Sequence, residues 1–132
     1  MPRISRLYFR TAILFLLAGI AIGLAMSISG QHNVTGAHAH ANLLGWVTMA
    51  IFGIYYALAP AKADTRLAMV QYGVYTLGVL IMIPSLYFLL LGNPRMEPLV
   101  AASSLITFAG VILFAFILFA GERATSAAAE AR

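Results

Sequence analysis

The chain has 132 residues, 62% of them apolar and only 9% charged, with a mean hydropathy of +0.93. A soluble domain carries about 25% charged residues because water must solvate its surface. Eight basic and four acidic side chains cannot cover a chain of this length, so its outer surface must meet lipid. Cysteine is absent, which excludes disulfides and thiolate metal sites. The pI is near 9.9, but the basic residues sit at segment ends and form no stripe interleaved with aromatics, so nucleic acid is excluded as a partner.

A hydrocarbon core of about 30 Å takes roughly twenty apolar residues in helix. The chain supplies four such stretches, and its length allows one domain, predicted over 1–124. The first stretch, 11–29, follows Arg3, Arg6 and Arg10. It is longer than the apolar run of about 7–15 residues in a cleaved signal peptide, so it reads as a retained span. Gly19 and Gly23 form a GxxxG pair within it, spaced to let a neighbouring helix approach closely. A polar break at 30–36 holds His32. The second stretch, 37–58, opens on His38, His40 and Asn42 and closes on Tyr55 and Tyr56, which read as interfacial belt residues. After a break at 60–64 containing Lys62, the third stretch covers 67–91, where Pro84 is expected to kink the helix. Gly92, Asn93, Pro94 and Arg95 separate it from the fourth, 99–120. Residues 125–132 are small and polar and read as a flexible tail. The predicted fold is therefore all-α, an integral membrane four-helix bundle.

Basic residues set the expected orientation. Arg3, Arg6, Arg10, Lys62, Arg66, Arg123 and Arg132 fall on one side of these four spans, and only Arg95 falls on the other. The positive-inside rule then puts both termini in the cytoplasm and the His32 loop outside or in the periplasm. A short multi-pass chain of this kind suits a prokaryotic inner membrane.

All three histidines fall within nine residues, and no Asp, Glu, Lys or Arg lies deep inside a span. Ionisable groups within a membrane are costly and mark function. A helix turns about 100° per residue, so His38 and His40 point to opposite sides of one regular helix. In that geometry His38 shares a stripe with Asn42, Gly45, Met49 and Phe52, and His40 shares one with Leu43, Leu44, Val47 and Ile51. A zinc or copper ion needs several ligands converging at about 2.0–2.3 Å, whereas haem iron asks each helix for one axial imidazole. Diverging histidines favour haem, provided that residue 38 is already helical. If the helix starts after His40, the segment is extended and His32, His38 and His40 suit copper or zinc instead.

The run from Ala37 to Ala50, with His38-Ala39-His40 and His40-Ala41-Asn42-Leu43-Leu44 inside it, resembles subunit I of the haem–copper oxidase superfamily, which includes cytochrome oxidases and nitric oxide reductases. In that family the second helix begins with a histidine that ligates the low-spin haem, and the tenth carries a His-x-His pair. The family has twelve helices in three pseudo-symmetric groups of four, so this chain looks like one repeat unit.

The resemblance implies a homotrimer holding haem b between neighbouring second helices, with His38 of one chain and His40 of the next as axial ligands. Gly45 would let the ring approach the backbone, Trp46 would stack on or cap it, and Arg95 would pair with propionates or anchor at the interface. The histidines of the family's copper centre are missing, so an oxidase-type oxygen-reducing centre is not expected. What remains is a b-type cytochrome that transfers electrons to or from a redox partner protein or a quinol. A copper- or zinc-binding membrane protein, and a non-catalytic accessory subunit of a respiratory complex, are the alternatives.

Overall fold

A computed structural model describes the backbone through Glu130 and side chains through Gly121. Four helices are long and apolar enough to cross a membrane. They are α1 (Arg3–Ser29), α2 (Thr35–Leu58), α4 (Arg66–Leu90) and α5 (Glu97–Glu130). A single turn, α3 (Pro60–Ala63), links α2 to α4, and a 3-10 turn, Pro94–Met96, leads into α5. No strand occurs among the described residues. The tail expected at 125–132 lies beyond the residues whose side chains are described.

Local chemistry sets the ends. Gly30 closes α1 at φ 69°, and its N–H bonds the Met26 carbonyl, a left-handed cap that glycine adopts without a Cβ clash. Thr65 caps α4, its Oγ1 accepting from the Ala68 N–H at 3.1 Å. Pro60 starts α3, where a missing N–H costs nothing. The helix of the first candidate span begins at Arg3, eight residues before its apolar stretch, because hydropathy marks the apolar part of a helix and not its start.

The helices pack as two close pairs, α1 with α2 and α4 with α5. Small residues make the second pair tight. A Cβ on Gly110 would lie 2.7 Å from the Tyr75 Cα, and Gly78 meets Thr107 in the same way. Such backbone proximity is how membrane helices gain contact where lipid removes the hydrophobic driving force.

One end of the bundle is filled by rings. Phe52 of α2 packs on Phe114 of α5 at 4.1 Å between centroids, on Tyr75 at 5.0 Å and on Tyr8 at 5.6 Å. Gln71, fully buried, collects the polar atoms there. It accepts from Tyr8 OH at 2.5 Å and from Tyr56 OH at 3.2 Å, and its Nε2 donates to the Gly110 carbonyl at 3.2 Å. Tyr56 is thus a core residue, 0% exposed, and not the belt residue its position at the end of a span suggested.

Residues 41–48 of α2 are π-helical. Its i→i+5 bonding underwinds the helix, so residues four apart stay in line: Ala37, Ala41, Gly45 and Met49 are all buried on one stripe. His38, Asn42 and Gly45 share the face toward α1, where they meet Gly23, Gly19 and Phe15. Leu43, Val47, Ile51, Ile54 and Leu58 form the opposite, exposed face.

Candidate functional site: the histidine end of the second helix

α2 is the least apolar of the four candidate spans, with a mean hydropathy of 1.5 against 1.9–2.4 for the others. Its polarity comes from the histidine end. The helix starts at Thr35, so His38 and His40 are both helical, which is the condition on which the diverging geometry depends.

His38 faces α1. Its Nδ1 lies 2.7 Å from the Gly19 carbonyl. Asn42 Nδ2 is also 3.4 Å from that nitrogen, but a carbonyl can only accept, so the short contact makes Nδ1 the donor. The Asn42 amide instead donates to the His38 carbonyl at 2.9 Å. The GxxxG pair of α1 is the seat for these two side chains. A Cβ on Gly23 would lie 2.8 Å from His38 Cε1, and one on Gly19 would lie 2.7 Å from the Asn42 amide.

His40 faces the other way. Its Nδ1 donates to the Gly36 carbonyl, one turn back in its own helix, at 2.7 Å. The ring lines a cleft of about 280 Å³ between α2 and the α4–α5 pair, with Leu44, Met82, Ser104, Thr107, Phe108 and Val111. The aromatic cluster closes the opposite end of the gap between α2 and α5, where Phe114 meets Phe52, Tyr55 and Tyr56.

The two imidazoles make the same kind of contact. With Nδ1 donating to a backbone carbonyl, the neutral ring carries its lone pair on Nε2, and a carbonyl in this position orients a metal-ligating histidine. The cleft around His40 extends the pattern. Ser104 Oγ donates to the Val100 carbonyl at 2.7 Å and lies 3.4 Å from Met82 Sδ, and Thr107 Oγ1 donates to the Ser103 carbonyl at 2.9 Å. Their protons are spent, so the polar atoms facing the cleft present lone pairs. Such a wall can accept a hydrogen bond but has no hydroxyl proton left to give.

The remaining expected residues are scattered. His32 is exposed in the loop, where its carbonyl accepts from Thr35. Among the described residues no three His, Cys, Asp or Glu side chains converge to hold a metal ion, so the His32–His38–His40 chelate has no geometric counterpart here. Gly45 is taken by Phe15, whose Cβ would be 2.5 Å from a Cβ at that position, which leaves no room there for a porphyrin. Trp46 packs partly buried against the hydrophobic core. Arg95 is exposed at the histidine end. The Gly19 and Gly36 carbonyls went unnoticed in the sequence because backbone acceptors carry no residue signature.

No known protein family, curated protein or solved structure matches the chain.

Proposed function

We propose that this chain is a haem-binding membrane protein of the b-type cytochrome kind, related to subunit I of the haem–copper oxidases and acting in electron transfer. One observation carries the reading. His38 and His40 each have Nδ1 tied to a backbone carbonyl at 2.7 Å, so each ring, when neutral, has its lone pair on Nε2, one on either side of the helix. Two oriented imidazoles support this reading, and so does a cleft beside His40 whose hydroxyls are spent as donors. An iron held by two imidazoles is coordinatively saturated and supplies one-electron transfer in place of ligand activation.

In this reading the protein is a homotrimer in a prokaryotic inner membrane, with both termini cytoplasmic on the strength of the seven basic residues on that side. His38 of one protomer and His40 of the next hold each haem, because a single helix cannot turn both rings to one iron. The exposed guanidinium of Arg95 is available to propionates. Electrons pass to or from a redox protein or a quinol.

The test is an absorption spectrum of the protein purified in mild detergent with haem supplied, oxidised and then reduced by dithionite. The expected result is a sharp reduced α-band of b type, lost in His38→Ala and in His40→Ala, and migration as a trimer. A featureless spectrum sinks the haem reading. Full haem retention on separated monomers sinks the shared site.

A further inference from the structure

Eight consecutive π-helical residues stand directly below His40. An α-helix is the lower-energy form for most sequences, and π segments are rare and occur mostly as single-turn bulges, so something must hold this one. Two side chains do. Thr48 Oγ1 donates at 2.8 Å to the Leu43 carbonyl, five residues back, which is the π spacing. Tyr75, fully buried on α4, reaches across and donates to the Leu44 carbonyl at 3.1 Å. Gly45, between these positions, admits the ring of Phe15.

Below the segment, Met49, Phe52 and Tyr56 are buried in the core. Above it, His38 sits in the notch of Gly19 and Gly23. In the register that the segment sets, both ends are packed at once. Removing one residue of register would turn the histidine end by about 100° against the aromatic end, and His38 would leave α1.

We propose that Tyr75 is a positioning residue for the histidine pair, acting with Thr48 to hold the π register that seats His38 against α1. This role rests on the haem reading for its purpose, but its test needs no haem. The imidazole nitrogens of the metal-free protein, labelled with 15N, report the tautomer of each ring by NMR. In the parent both rings should be Nδ1-protonated. In Tyr75→Phe, which keeps the ring and loses the hydroxyl, His38 should lose that state. His40 should keep it, because its partner Gly36 lies in the same helix turn. Thr48→Val should give the same selective change, and it carries the test if Tyr75→Phe does not fold. Tyr72→Phe removes a bond of 2.6 Å to Thr11 one turn away on α4 and should change neither ring.

An unchanged His38 in Tyr75→Phe and Thr48→Val overturns the proposal, and so does the same change in Tyr72→Phe. A parent that takes up no haem while His38 responds to Tyr75→Phe would end the haem reading and leave the register role standing.

Discussion

Nδ1 of His38 and the carbonyl of Gly19 are 2.7 Å apart, and this contact joins the first two long helices at the point where the candidate chemistry lies. A helix carbonyl normally faces along its own axis toward the residue four ahead. One that also receives an imidazole must be approached closely, and the missing side chains at Gly19 and Gly23 allow that approach.

Gly23→Ala should disturb this contact. The new Cβ would start 2.8 Å from His38 Cε1, below any relaxed contact, so the ring must swing away from Gly19. Overpacking of this kind costs about 1–3 kcal/mol, and the lower end is expected because an imidazole can move. Unfolding in a denaturing detergent titration would measure it. If haem is bound, its spectrum should change in Gly23→Ala, while a change in stability alone would place His38 outside the haem site.

Gly73→Ala and Gly110→Ala should move stability in opposite directions. Gly73 has nothing within 4 Å of a built Cβ, so alanine gains helix propensity of up to about 1 kcal/mol. On Gly110 the same atom meets the Tyr75 backbone at 2.7–2.9 Å, and backbone cannot rotate aside. A loss of about 2 kcal/mol or more is expected, read in the same titration. Equal effects at the two positions would mean that α4 and α5 are not in close contact.

Gln71→Leu tests the polar centre of the aromatic end. It removes the acceptor of Tyr8 OH and Tyr56 OH and the donor to the Gly110 carbonyl. Side-chain hydrogen bonds between membrane helices average about 0.6 kcal/mol and reach about 1.7. Losing three at one buried site should cost about 2 kcal/mol. Tyr72→Phe, which loses only the bond to Thr11, should cost about a third of that. A neutral Gln71→Leu would show that water replaces the amide.

The spans, their order and the divergence of the histidines were legible in the sequence, because hydropathy and the period of a helix decide them. The π segment was not. Nothing in the run Ala41 to Thr48 departs from helical chemistry, and its register depends on Tyr75, 31 residues away. The same limit affected Gly45, which was assigned to a porphyrin and receives Phe15. The burial of Tyr56 was missed for another reason. Gln71, the one amide within the third apolar stretch, was the available signal that a partner lay nearby, since such a group in hydrocarbon needs its hydrogen bonds met.

Lys62 gives the last prediction. It was expected only to mark the cytoplasmic side, but its ammonium also donates to the carbonyls of Ile117 and Leu118 at 2.8 and 2.9 Å. It stands 6.0 Å from the centre of the Tyr55 ring. It therefore ties the short α3 turn to the far part of α5. Bonds from charged donors are worth about 1.5–3 kcal/mol when shielded. Lys62 is partly solvated, so about 1 kcal/mol is the expected loss in Lys62→Met, which keeps the stem and removes the charge. Hydrogen exchange should quicken around Ile117 and Leu118 and stay unchanged at the histidine end, more than a dozen residues along α5 from this clamp. Faster exchange at both ends would mean that the bundle opens as one unit and that Lys62 acts on the whole fold.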